Sequence, residues 1–265
     1  MRWEIDNMNF AFEALPEVLK PYKEKIEATL KPTVQMNLKS CDRLSLWQSK
    51  VGGQPYLPLD MAYPIDSNGN SLALLAQFNF AEIPNLPDFP SQGILQFYIA
   101  TDDLYGMNFD DQQQQSGFKV LYFDQVIEDV KQLKQDFSDI QLDDDEYLLP
   151  FTGQYAIEFS LTMQPISTED EGFNIGDGSD EFYEAYSENL ASTGHRLGGY
   201  PYFTQSDPRG YNKAIRDYVL LFQLDTDDAK NEIMWGDSGV GNFFIHPEDL
   251  KKRDFSKVLY NWDCC

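Results

Sequence analysis

Histidine and cysteine are scarce in this chain. Two histidines (His195, His246) and three cysteines (Cys41, Cys264, Cys265) stand among 265 residues. An odd cysteine count, with two of them adjacent, is no disulfide framework, because neighbouring cysteines bridge each other only under strain. A reducing cytoplasm fits that usage. CxxC and HExxH are both absent, so no zinc site, metal or cofactor is expected. Cations are few: 20 Lys and Arg face 44 Asp and Glu, a formal charge of −24. That balance repels nucleic-acid phosphates and anionic membranes, and excludes both as expected partners. It attracts a basic protein, and it also serves plain solubility. No stretch approaches the roughly 18 apolar residues of a membrane span, and the first twelve residues lack the build of a signal peptide. The sequence says nothing of oligomeric state.

What is plentiful is aromatic residues, 19 Phe and 15 Tyr, enough for a sizeable core. A long-range register is also present. Gly52-Gly53-Gln54-Pro55-Tyr56 lines up with Gly198-Gly199-Tyr200-Pro201-Tyr202, an offset of 198 − 52 = 146. At the same offset Leu74-Leu75-Ala76-Gln77-Phe78-Asn79 meets Leu220-Leu221-Phe222-Gln223-Leu224-Asp225. Gly93-Ile94-Leu95-Gln96-Phe97 meets Gly239-Val240-Gly241-Asn242-Phe243, Leu104 meets Leu250, and Phe109 meets Phe255. Blocks sharing one ungapped register over so long a period read as two half-domains, not a solenoid. The Gly-Gly pairs read as turns, and the Leu-Leu and Gly-Ile/Val blocks as buried strands.

Outside the register, apolar spacing predicts a helix over 13–30, broken near Pro21, and an amphipathic helix over 124–137. A short helix is expected over 180–190, and strands over 118–123, 155–163 and 255–262. Polar segments 102–115, 139–146 and 168–179 read as loops, the first ending in a run of four Gln.

The blocks around Lys50-Val51-Gly52-Gly53 and Leu74–Asn79 resemble the YwqG-like family of uncharacterised bacterial proteins. So do His195-Arg196-x-Gly198-Gly199-Tyr200-Pro201, with Gln205, and Met234-Trp235-Gly236-Asp237-Ser238-Gly239. The resemblance runs from about residue 40 to the end. It implies an α+β fold with duplicated halves and no established reaction. Some members resemble genes beside secreted toxins, which implies an immunity-like role.

Gly236-Asp237-Ser238-Gly239 spells the local motif of a trypsin-like nucleophile, but neither histidine has its expected context, and Gly239 matches the turn residue Gly93. Cys41 shows no sign of activation and reads as filler. The acidic runs 143–146 and 177–181 lack the alternating ligands of a Ca²⁺ loop and read as solvated. No catalytic residue is assigned. The matched cations Lys50 and Arg196 could bind an anion or pair with a local acid. With His195, Gln205, Trp235 and Asp237 they form the candidate set for ligand or partner binding. The expectation is a single cytoplasmic α+β domain over 1–265, an internal duplication of two similar β-rich halves (about 40–140 and 150–265) with flanking helices. The expected function is non-catalytic binding of a basic partner, toxin-neutralising in type. The alternative is a small-molecule-binding protein or hydrolase with a cleft between the halves.

Overall fold

The computed structural model describes residues 15–142, 149–227 and 232–265. Ten strands form one antiparallel sheet: β1 (Lys31–Ser40), β2 (Lys50–Gly52), β3 (Ala73–Asn79), β4 (Ile94–Ile99), β5 (Phe118–Phe123), β6 (Gln154–Gln164), β7 (His195–Gly198), β8 (Val219–Asp225), β9 (Val240–Ile245) and β10 (Leu259–Asp263). Their spatial order is β10-β9-β8-β7-β1-β6-β2-β3-β4-β5. Strands β2–β5 make one arm and β7–β10 the other. The long strands β1 and β6 lie between them in a ten-residue ladder, with Val34 opposite Leu161 and Met36 opposite Phe159. Each leading strand crosses over: β1 pairs with β7, while β6 pairs with β2, so neither arm can leave without breaking a ladder of the other.

The sheet curls into a half-barrel because both arms carry rings on the inner face. Phe97 of β4 lies 4.8 Å from Phe243 of β9 and 5.1 Å from Phe222 of β8, and Phe118 of β5 lies 5.3 Å from Tyr260 of β10. Apolar burial at about 25 cal/mol per Å², plus tilted ring contacts, draws the arms together. The outer strands β5 and β10 make no ladder with each other. The glutamine run closes that seam. The Gln112 carbonyl accepts from the Tyr260 amide, Gln115 Oε1 accepts from the Val120 amide, and Gln115 Nε2 donates to the Phe255 carbonyl. Exposed strand edges invite foreign pairing, and the Gln112 carbonyl and the Gln115 side chain occupy edge amides of β10 and β5.

Positions 146 apart hold matching places in the two arms. Lys50 pairs with Gln77 as Arg196 pairs with Gln223, and each arm carries a bulge, between Leu74/Ala76 and between Leu220/Phe222. Gly52 and Gly53 sit at φ +68° and +73°, and Gly198 and Gly199 at +66° and +74°, left-handed turns that side chains would strain.

The chain is mainly β, which corrects the expected α+β class. Among the described residues the α-helices are short: α1 (Lys23–Glu27), α2 (Asp180–Leu190) and α3 (Pro247–Lys252). The helix expected over 124–137 is absent apart from a single 3-10 turn at Val130–Gln132. There the backbone bonds sideways: the Ile127 amide donates to Tyr56 Oη, its carbonyl accepts from Trp47 Nε1, and the Lys134 amide donates to the Leu57 carbonyl. Val126, Ile127 and Leu133 then cover the outer face of β4 around Ile94. The helix expected from Glu13 shrinks to a 3-10 turn at Lys20–Tyr22 and α1, and its start lies outside the described residues, as does the acidic run 143–146. The last strand begins at Leu259, four residues later than expected. The run 177–181 is a helix start: Ser179 caps α2 by accepting from the Phe182 amide, with Asp180 and Glu181 in the first turn.

Candidate functional site

Six residues were expected to make a binding site, and strand geometry divides them. Side chains alternate across a strand, so His195 and Leu197 face the core while Arg196 faces outward. Arg196 is 2% exposed and donates to the Thr193 carbonyl, and among the described residues its Nε has no partner. Burial pushes its guanidinium down to about 10 against the pull of Asp225. Lys50, fully buried at the matching place, donates to the carbonyls of Ser45 (2.5 Å) and Gln54 (2.8 Å). Burial pushes its amine down to about 8, opposed by Glu82. Among the described residues neither cation ends in an ion pair; Lys50 binds two loop carbonyls and Arg196 one.

The same outer row holds the glutamines. Gln77 accepts from the Tyr56 amide and donates to the carbonyls of Leu46 and Gln48, and Gln223 accepts from the Tyr202 amide and donates to Ser192 and Gly194. Every partner is displaced by 146. One row further, Gln96 donates to the Tyr56 carbonyl and Asn242 to the Tyr202 carbonyl. A long amide side chain can hold an extended loop at both its N–H and C=O groups, which is why Gln and Asn stand in otherwise apolar strands.

His195 Nδ1 accepts from the Asp225 amide, and Nε2 lies 3.6 Å from an Asp227 carboxylate oxygen, which places the ring proton on Nε2. Trp235 is fully buried, edge-on to Tyr105 at 5.5 Å and against Gly241. Gln205 and Asp237 lie at the surface near the C-terminal residues, where Gln205 Nε2 donates to the Cys264 carbonyl and the Asp237 carbonyl accepts from the Cys265 amide. The Asp263 carboxylate accepts from the Thr204 and Gln205 amides; burial raises it, and those amides oppose the rise. The set therefore divides among the core, the outer row and the C-terminal surface. Gly236–Gly239 is the turn into β9, closed by a bond from the Gly239 amide to the Trp235 carbonyl.

A different place gathers exposed chemistry. A cleft of about 650 Å³ is lined by Asp66, Asp102, Asp139 and Leu142, and a second of about 360 Å³, sharing Asp66 and Asp102, by Leu104, Phe109 and Asp110. Among the described residues no Lys or Arg lines either. Lys134 reaches Asp139 from outside at 2.8 Å. The Asp66 carboxylate feels burial that would raise it, yet hydrogen bonds from Asn70 and Asn68 hold it below the usual carboxylate range. Asp102 accepts from the amides of Leu104 and Gly106. Phe109 is 69% exposed, Leu142 40% and Leu104 38%. The sequence reading missed this groove; its one early signal was a Phe and a Leu inside a segment otherwise read as a polar loop.

Residues 49–264 match the family model described as a domain of unknown function, DUF1963, and the chain belongs to that family. No curated protein matches it. Among the described residues no helix is long and apolar enough to cross a membrane.

Proposed function

We propose that this member of the DUF1963 family is a non-catalytic, cytoplasmic binding protein for a basic protein partner, toxin-neutralising in the manner of an immunity protein. The observation that carries the reading is where the charge resides. Among the described residues the three buried cations, Lys50, Arg196 and Arg209, are matched in number by three buried acids, Asp207, Asp225 and Asp263, so the formal charge of −24 remains on side chains that a partner can meet. Opposite charge speeds encounter and suppresses wrong partners. At finer grain the chain is read as YwqG-like and single-domain, and its 146-residue register as an internal duplication. The matched bulges, Gly-Gly turns and glutamine clamps support that finer reading. On this reading Lys50, Arg196, His195 and Trp235 hold the framework, while Gln205 and Asp237 brace the C-terminal end. The alternative, a small-molecule site or hydrolase cleft between the arms, needs room where Phe78, Phe97, Phe222 and Phe243 now interlock.

The test is titration calorimetry of the full chain with the basic product of an adjacent gene and with unrelated basic proteins, at low and physiological salt. The reading expects tight binding to the adjacent product that weakens with salt. No complex with it at low salt would remove the reading.

A further inference from the structure

Exposed large apolar side chains are unevenly distributed. Leu59, Met61, Ile65, Leu104, Phe109, Val130 and Leu142 all belong to the loops of the β2–β5 arm and the segment that follows it; elsewhere among the described residues only Tyr183 and Tyr211 are comparably bare. Scattered single apolar residues mean little, but a contiguous set around a cleft marks an interaction surface. Phe109 and Leu104 share one lined cleft, and Leu142 stands in the cleft that adjoins it through Asp66 and Asp102. Their counterparts 146 residues on in the sequence, Phe255 and Leu250, are 5% and 2% exposed, so the same residue types face water on one arm and are covered on the other.

We propose that this groove is the docking site for an extended basic segment of a partner protein, its Arg or Lys side chains reaching Asp66, Asp102, Asp110 and Asp139 and its apolar side chains packing on Phe109, Leu104 and Leu142. The proposal rests on the reading of the chain as an acidic binding protein and names where, and by what, it binds. Charge complementarity selects the occupant: among the described residues four carboxylates line the joined clefts and no cation does, Lys134 reaching Asp139 from outside the lining. A nucleic-acid phosphate is repelled there, and a wholly apolar segment would desolvate the carboxylates without supplying a compensating charge. An extended segment that carries both cationic and apolar side chains supplies partners to both kinds of lining group, which each cleft mixes.

The probe is a fluorescein-labelled twelve-residue peptide alternating Arg and Leu, with a Glu-for-Arg counterpart, read by anisotropy against the full chain. The Arg peptide should bind and the Glu peptide should not. Phe109→Ala and Asp139→Asn should each weaken binding at least about tenfold, and Tyr211→Ala, exposed on the other arm, should change it by less than about twofold. Failure of the Arg peptide to bind, or equal affinity in all three variants, overturns the groove. A concentration-dependent dimer in sedimentation that Phe109→Ala dissolves would assign the surface to a second copy instead, and also overturn it. If the groove fails while the adjacent basic protein still binds in calorimetry, the broader reading stands; if the peptide binds the groove and the adjacent protein does not, the broader reading falls alone.

Discussion

Leu250 and Phe255 of the second arm are buried, while Leu104 and Phe109, their matches in the first, face water. The connections that carry them differ. After β9 the chain enters α3, with His246 accepting from the Glu248 amide as its cap and Pro247 in its first turn, and the helix turns Leu250 inward. After β4 the chain makes turns held by Asp102 and then the glutamine segment. The register slips by six residues across this stretch: Val120 stands opposite Phe97 as Tyr260 stands opposite Phe243, and 260 − 120 = 140. Those extra residues bring Gln112–Gln115 to the seam, and Phe109 is left outside it. A matched pattern therefore fixes which residue type occupies a place, but the length and capping of one connection decides whether that residue meets the core.

The comparison can be broken hardest at Gly241. In the first arm the matched pair is Leu95 with Phe89; in the second it is Gly241 with Trp235, whose indole would lie 2.3 Å from a Cβ at 241. Gly241→Leu should cost about 3 kcal/mol or more in urea unfolding, and adding Trp235→Phe should return about 1 kcal/mol or more, a coupling visible in a double-mutant cycle. Removing the loop clamps comes next. Gln77→Leu strands the buried Tyr56 amide and two carbonyls, and Gln223→Leu strands the Tyr202 amide; each should cost about 2–3 kcal/mol, with Gln77 the larger because Gln96 Nε2 also donates to it.

Lys50 sharpens the comparison through pH. Its folded amine titrates near 8, below the unfolded value of 10.5, so above pH 8 the unfolded chain holds the extra proton. Stability from this group therefore rises as pH climbs through that window, and the penalty is fully present below it. Wild type should gain on the order of 1–2 kcal/mol relative to Lys50→Met between about pH 8 and 9.5, measured as the difference in unfolding free energy. Taking the difference cancels the buried tyrosines, whose hydroxyls burial pushes up. The smallest effect is expected at the seam. Gln115→Ala should cost about 1 kcal/mol and speed hydrogen exchange at the Val120 amide, with the opposite edge of the sheet unchanged.

Much of the strand set was legible. Strand β5 and helix α2 fall where apolar spacing and turn residues put them, and β3, β4, β8 and β9 coincide with the matched blocks. Strand β1 was not recognised, although Val34, Met36 and Leu38 alternate with Gln35, Asn37 and Lys39 as a half-buried strand does. The helix read over 124–137 failed for a different reason. Its apolar spacing suits a helix, but Tyr56, Trp47 and Leu57 take its backbone groups from across the chain, and tertiary bonds override a weak local preference. At the candidate site, spacing could pair Lys50 with Arg196 but could not reveal that both are spent on loop carbonyls, since the acceptors are main-chain oxygens common to every residue.

By itself, then, the sequence determined the acidic balance, the scarcity of histidine and cysteine, the 146-residue register and the turn glycines within it, because charge, chemistry and backbone freedom are properties of single residues and their spacing. Tertiary structure decided the rest. The crossing of β1 and β6 between the arms, the curl that interlocks the phenylalanines, the closing of the seam by glutamines and the exposure of Phe109 where Phe255 is covered all depend on which distant groups meet. Hydrogen bonding and burial are satisfied between residues far apart in the chain, and the local pattern is compatible with more than one such partner.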